Sequence, residues 1–479
     1  MLLTIKFGGT SVGGAERFRS AATLVQRLLG AGHKVVVVTS AMAGVTNRLA
    51  ELARDATGPG NSNSNRVAEY FRCTRKLELD HLDVARNTIR SPGLIEEVAN
   101  LLYAERHGLD RVLLGSHLLG EMTPIGYDFI VSEGERLCVP ILANCLRDIG
   151  LDAVGLGGDE AGIVTDNNYG NSIPLEEPTR AGVRRAVLPL IEAGKVPVIA
   201  GFYGRSQQGR IAVLGRGGSD LTATLVGCAL DADEIWMLKH DVDGIKTTDP
   251  RLVPGAYTIP EVSYWIAAEM AMLGAKVLHP KSVQPASRQR IPVRIASSHE
   301  PDKPGTRLVP AEKSSTGSVA GLTLVRKAGL VRASAREMGD EGIIPGNLIE
   351  AVRRHNIDVL ASAVGFNGGR VLWLIGGPDI DRFVTILDQH NTGHFRTDVQ
   401  RDVAVLGIVG EEVASATGVI VRVTHCLEQS DVQPLAMFQG ASPDSIVLAL
   451  PDDDQQLSTV LKLLHTELGL DQKHSGQSL

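Results

Sequence analysis

Leu214-Gly215-Arg216-Gly217-Gly218-Ser219-Asp220 gathers three glycines, an arginine, a serine and an aspartate into seven residues. The apolar run Ile211-Ala212-Val213-Leu214 enters it. The helix-like run Leu221-Thr222-Ala223-Thr224-Leu225-Val226-Gly227 leaves it. A strand, a glycine turn and a helix start can hold an anion, because the first amides of a helix point outward without intrahelical partners. Glycine lets the backbone approach a ligand with no Cβ in the way. Arg216 adds a planar grip suited to carboxylate or phosphate. Asp220 is itself an anion and suits the orientation of nearby cations. The same residues also suit a plain βα connection, so the segments around them decide.

Upstream, Leu2-Leu3-Thr4-Ile5-Lys6-Phe7 reads as a buried strand running into Gly8-Gly9-Thr10-Ser11, with an amphipathic helix from about Ala15 to Leu29. Lys34 to Val38 is a second strand, valine-rich as a parallel strand covered on both faces should be. It meets the small-residue loop Thr39 to Asn47. In an open α/β sheet, ligands bind off the C-terminal strand edge. Lys6 sits at that edge, as a phosphate cation or as a snorkelling surface residue. From Ala50 to Gly120 the pattern is helical, with a glycine- and asparagine-rich loop at Gly58 to Asn65. Asp128 to Leu137 sets Glu133 and Glu135 around Gly134, just ahead of a helix, where acids often serve the helix dipole. Asp152 to Asp166 is strand and loop, Arg180 to Gly194 helix, and Val196 to Ala200 strand.

Downstream, Asp233 to Leu238 is a strand and Asp241 to Arg251 a polar turn-rich loop. Its Asp-x-Asp-Gly lacks the remaining positions of a calcium loop, so no metal ligands are assigned. Tyr264 to Gly274 is helical, and Ile291 to Ile295 closes the sheet pattern.

At 479 residues the chain has room for about three domains. A formal charge of −7 and no basic tail argue against nucleic acid as a partner. Five scattered cysteines form no C-x-x-C pair, which suits a reduced cytoplasm. No signal peptide and no membrane span are expected.

Lys6 to Ser11, Ser40 to Asn47, Glu133-Gly134-Glu135, Gly201 to Gly204, Leu214 to Asp220, Asp241 to Arg251 and Gly274 to Pro280 together resemble aspartate kinase, in that family's order. The resemblance implies an amino-acid kinase domain over residues 1–308, a mainly parallel α/β sheet with helices on both faces. Two ferredoxin-like βαββαβ ACT modules follow, over 316–395 and 400–470, with boundaries that can interleave. It implies phosphoryl transfer from Mg-ATP to the β-carboxylate of L-aspartate, opening the lysine, threonine and methionine branch. Lys6 and Lys276 would be the catalytic cations and Asp220 the acid that steadies them. Gly8 and Gly9 would offer amides to the phosphates. Ser11, His240, Asp241, Lys246 and Arg251 complete the ATP set with Lys6 and Lys276. Arg216 and Ser219 would take the substrate carboxylates with Gly217 beside them, Glu135 its ammonium, and Thr46 would add a hydroxyl. ACT pairing between chains implies a homodimer or larger.

Departures from the family stand out. Lys239-His240-Asp241 occupies the place of Trp-Thr-Asp or Trp-Lys-Asp, Lys246 that of an aromatic residue, and Leu273 that of phenylalanine. The first two fall in the nucleotide loop, so altered nucleotide preference is an open alternative, as are a specialised substrate and a non-catalytic amino-acid sensor. Ser318 to Ile375 and Val403 to Leu450 repeat weakly. The strands there are Val319–Leu324, Leu330–Ala333, Val359–Val364 and Val371–Ile375, with a helix over 344–354. Gln439-Gly440-Ala441-Ser442 resembles the Q-G-S-S effector turn of aspartokinase ACT modules, whereas Ala363 to Asn367 does not. Feedback by lysine or threonine is therefore either intact or altered.

Overall fold

The computed structural model describes residues 1–57, 64–275, 277–310, 319–336, 357–365, 369–390, 393, 395–439 and 442–471. The chain divides into two compact units. The first is Met1–Gly244 with Leu278–Pro310, and the second is Ile245–Val277 with Ala311–Leu479.

In the first unit, strands run side by side in the order Ala153–Leu156, Val196–Ala200, Lys34–Thr39, Leu2–Phe7, Glu234–Lys239, Val293–Ser297 and Thr306–Val309. All these pairings are parallel except the last. The central strands are apolar on both faces, and Val35 to Val38 are wholly buried. Leu3, Ile5 and Phe7 pack with Phe18, Val25, Trp236 and Leu238 on one face. The opposite face carries Thr4, which pairs with Ile235, and Lys6, which pairs with Met237. The helix Gly218–Ala229 covers that face. A Cβ at its Gly227 would lie 2.7 Å from Ile235 and 3.4 Å from Thr4. This helix is apolar nearly all round and almost entirely buried, as a central helix must be.

The helix Ala15–Gly30 and the strand Lys34–Thr39 fall where periodicity puts them, and the helix expected over 180–194 runs as Glu176–Glu192. The long helical region resolves into Val45–Asp55, Ser64–Thr88 and Pro92–Leu119. The expected loop at 58–65 lies outside the described residues up to 63, and Ser64 already begins a helix.

One local expectation is corrected. Glu133-Gly134-Glu135 does not precede a helix. It sits in the middle of Pro124–Asp148, which starts at a Thr123 cap that accepts from Gly126 N at 3.1 Å. The helix-dipole reading of these acids therefore fails. Pro124 at the first turn and the Thr123 hydroxyl were the start signal.

The second unit carries a six-stranded antiparallel sheet in the order Val359–Gly365, Arg370–Ile375, Val319–Ala335, Phe395–Gly410, Ser445–Pro451 and Ala436–Gln439. The two separate strands expected at 319–324 and 330–333 are one strand of 17 residues. Its register shifts around Ala328, and Lys327 adopts a φ of 56°. One bent strand thus serves both halves of the repeat. The partner strand likewise runs from Phe395, not Val403. The described helices Ile380–His390, Thr417–Gln429 and Asp454–Glu467 each bury one face. The helix expected over 344–354 lies outside the described residues. The fold class is as the sequence implies: a mainly parallel α/β unit, then an antiparallel ferredoxin-like sheet.

Candidate active site

The site begins with register. Lys6 is opposite Met237 on the adjacent parallel strand, so Lys239 lies two residues further along on the same face. Lys239 ends its strand and Lys6 is the last residue but one of Leu2–Phe7, so both lie at the C-terminal edge of the sheet. Asp220, in the first turn of Gly218–Ala229, reaches them from above. Lys6 Nζ lies 2.6 Å from Asp220 Oδ1, with both side chains under a tenth exposed. Lys239 Nζ donates to Asp220 Oδ2 at 3.3 Å. Burial alone would push the Asp220 carboxyl up. The charges of Lys6 and Lys239 outweigh it and hold the value at about 2. Burial lowers the Lys239 ammonium from its ordinary value, against the pull of Asp220.

Gly8 closes over this cluster. Its N–H donates to Leu238 O at 3.0 Å, and a Cβ there would lie 3.5 Å from Lys6 Nζ. The short 3-10 turn Gly9–Val12 follows. Ser11 Oγ donates to Leu238 O at 3.3 Å and accepts from Ser298 Oγ at 2.9 Å. Ser11 and His240 line one cleft of about 200 Å³ with Phe7, Arg17 and His299. The His240 and His299 rings meet edge-on at 5.6 Å. Asp241 is exposed beside them.

Gly217 sits at φ 72°, a conformation that favours glycine, and a Cβ there would strike His279. The end of the Gly274–Pro280 motif therefore packs on the glycine turn within the same unit. Arg216 is exposed, with no ion pair among the described residues. Ser219 Oγ donates to Glu135 Oε1 at 3.5 Å. Burial raises the Glu135 carboxyl to about 8, with backbone N–H groups, Lys6 and the Ser219 hydroxyl pulling the other way. Glu133 turns elsewhere. It lies 3.5 Å from Arg136, which also grips Glu105 at 3.0 and 3.2 Å. Burial raises Glu133 well above the carboxylate range. Gly134 lets this helix pack closely on the start of Val45–Asp55. A Cβ there would lie 2.7 Å from Ala41 Cβ and 3.3 Å from Val45, one residue before Thr46.

Asp128 supports the site although no sequence motif marks it. It is fully buried, and its Oδ2 accepts from Gly170 N at 3.0 Å and Val213 N at 2.9 Å. It thereby fixes the strand that enters the glycine turn. An apolar-flanked acid inside a helix pattern was the available signal.

The remaining expected residues fall outside the described residues or in the second unit. Lys276 and Gly440 lie outside the described residues. Lys246 and Arg251 belong to the second unit. Lys246 Nζ donates to Thr258 Oγ1 at 3.3 Å. Arg251 clasps Asp249 at 2.6 to 3.1 Å, which lowers the Asp249 carboxyl. Gln439 Nε2 donates to Ala414 O at 2.6 Å, and Ser442 Oγ accepts from Asp444 N at 3.2 Å.

Residues 1–297 match the amino acid kinase family. The chain is 34% identical over 349 residues to the chloroplastic aspartokinase 1 of Arabidopsis thaliana, covering 71% of this chain and 58% of that protein. Against that plant relative the chain therefore spans less than two thirds of the length. It is 30% identical over 477 residues to the lysine-sensitive aspartokinase 3 of Escherichia coli, covering 98% and 99% of the two. Crystal structures of E. coli aspartokinase III align at 28% identity over 98% of this chain. That with aspartate and ADP, an R-state, has a TM-score of 0.79 and is covered over 100%. That with lysine and aspartate, a T-state, has 0.78 and is covered over 99%. With its buried Lys6–Asp220 pair and its glycine turns at one sheet edge, the chain belongs to the amino acid kinase family and, within it, to the aspartokinases.

Proposed function

We propose that the chain transfers the γ-phosphoryl group of ATP to the β-carboxylate of L-aspartate, giving 4-phospho-L-aspartate and ADP. The observation that carries this is the buried Lys6–Asp220 pair at 2.6 Å, beneath the Gly8 turn. Transfer between two anions needs charge neutralisation and alignment more than covalent help from the protein. A carboxylate oxygen attacks phosphorus, the bond to the bridging oxygen breaks, and its electron pair leaves on ADP. No proton need move. Lys6 neutralises the transferring group and Asp220 keeps its amino group in place. Gly8 and Gly9 offer amides to the phosphates, and Lys276 adds a further cation.

Arg216 takes a substrate carboxylate with Ser219 and Gly217. Glu135 takes the ammonium and Thr46 contributes its hydroxyl. Ser11, His240, Asp241, Lys246 and Arg251 serve the nucleotide. Mg2+ would arrive on the nucleotide phosphates and shield their charge. Among the described residues no group of three acids, histidines or cysteines could hold a metal ion.

The product feeds the aspartate-derived route to lysine, threonine and methionine. The second unit would bind lysine or threonine as an effector, with Gln439, Gly440 and Ser442 as its candidate turn, and would pair two chains. The lysine-bound relative supports lysine first. No described helix is long and apolar enough to cross a membrane, and a cytoplasmic enzyme fits that. Trapping the acyl phosphate as hydroxamate tests the proposal. Signal with aspartate and ATP is expected. Signal with another acid alone, or with none, would contradict it.

A further inference from the structure

Two buried lysines share one carboxylate at the C-terminal edge of the first unit's sheet. Lys6 and Lys239 each reach a different oxygen of Asp220, and both come from neighbouring parallel strands on one face. Two ammonium groups against the one carboxylate they both touch leave a positive excess, because Glu135, the other acid on which Lys6 acts, is held towards its neutral form by burial. In a site closed over by Gly8, an uncompensated charge is costly unless an anion joins it. Asp220 and Lys6 are the charged groups that act on Lys239. The side chain of Lys239 is 22% exposed, more open than the 7% of Lys6.

We propose that Lys239 is a catalytic cation of the phosphoryl-transfer site, contacting the group in flight together with Lys6. This rests on the reading of the chain as an ATP:aspartate phosphotransferase. It changes what the Lys239 departure means. Its family counterpart is aromatic, so the expected consequence was looser or different nucleoside packing. The side chain instead joins the Lys6–Asp220 pair, which points to the transferring phosphoryl group. Phosphorus passes from the bridging oxygen of ATP to the aspartate oxygen, the electron pair stays with ADP, and Lys239 remains an ammonium throughout. With Lys6 and Lys239 on adjacent strands, two cations of the reaction belong to one sheet, whatever Lys276 adds.

The test compares full-length wild type with Lys239→Met and Lys239→Arg. Hydroxamate formation by wild type with aspartate must be seen first; its failure would count against the phosphotransferase reading itself. Given that activity, K239M should lower kcat about 30- to 300-fold, with KM for aspartate within about threefold. K239R should recover at least a third of wild-type kcat. Binding separates a contact with the reacting group from a merely structural role. ADP alone should bind K239M as tightly as wild type. ADP with aluminium fluoride and aspartate, a mimic of the transferring group, should bind at least tenfold more weakly. If K239M does not fold, Lys239→Gln takes its place under the same criteria. A kcat within twofold of wild type, or equal loss of ADP and mimic affinity, would overturn the inference.

Discussion

Lys6 Nζ and Asp220 Oδ1 meet at 2.6 Å although 214 positions separate them, one near the end of the strand Leu2–Phe7 and the other in the first turn of a buried helix. The pair is buried, so removing either partner leaves a charge in a poorly solvated site. Asp220→Asn strands two ammonium groups. We expect it to cost about 3–5 kcal/mol in urea unfolding. The Asp220 carboxyl lies below its ordinary value, so its contribution is whole above about pH 4 and is lost as pH falls towards 2. Acid titration of unfolding should show that loss in wild type and a flatter curve in D220N. An unchanged urea midpoint would count against the pairing.

Glu135 moves the opposite way. Burial lifts its carboxyl to about 8, so its neutral form favours the fold. The contribution is whole below about pH 4.5 and is lost as pH rises towards 8. Glu135→Gln should therefore gain stability relative to wild type at pH 8 to 9. An incoming ammonium needs the carboxylate, so aspartate binding at pH 7 should release up to about one proton. Calorimetry in two buffers of different ionisation enthalpy measures this. Equal heats in both would show that aspartate does not bind by ionising a neutral Glu135.

Gly134 sets the distance between the helix that carries Glu135 and the helix that carries Thr46. A valine there would overlap Ala41 and Val45. We expect G134V to lose about 1–3 kcal/mol and to raise KM for aspartate several-fold more than it lowers kcat. A variant with wild-type melting and wild-type KM would show that this contact does not position the substrate residues.

Asp128 holds one loop amide, of Gly170, and one strand amide, of Val213, with a single oxygen. Asp128→Ala leaves both N–H groups buried and unpaired, and should cost about 2–4 kcal/mol. Asp128→Asn keeps an accepting oxygen and should cost far less. Burial raises the Asp128 carboxyl to about 6, so charging it opposes the fold and D128N should gain relative to wild type above that pH. Thermal melts of both variants check the order; equal losses would refute the clamp.

Much of this was legible in the sequence because the signals are local. The strand Lys34–Thr39, the turn at Gly217 and the helix after it follow from valine runs and glycines. The meeting of Lys6 with Asp220 was readable from the resemblance. Lys239 was not readable as their partner, because register between Leu2–Phe7 and Glu234–Lys239 depends on tertiary pairing and not on either strand alone. Glu133-Gly134-Glu135 misled for a similar reason. Polar residues in a run suggest a helix start, but here burial against neighbouring helices carries them into the interior of Pro124–Asp148. The long strand Val319–Ala335 was split because Arg326, Lys327 and Gly329 interrupt its apolar alternation at the bend.

On the proposed function, a buried cation held on Asp220 quenches the charge of a phosphoryl group moving to aspartate. The most direct measurement is the rate of aspartyl hydroxamate formation by Lys6→Met at saturating ATP and aspartate. Loss of a desolvated charge contact should lower kcat by about 10²- to 10³-fold in a protein that melts near wild type. Turnover within twofold of wild type would contradict the account.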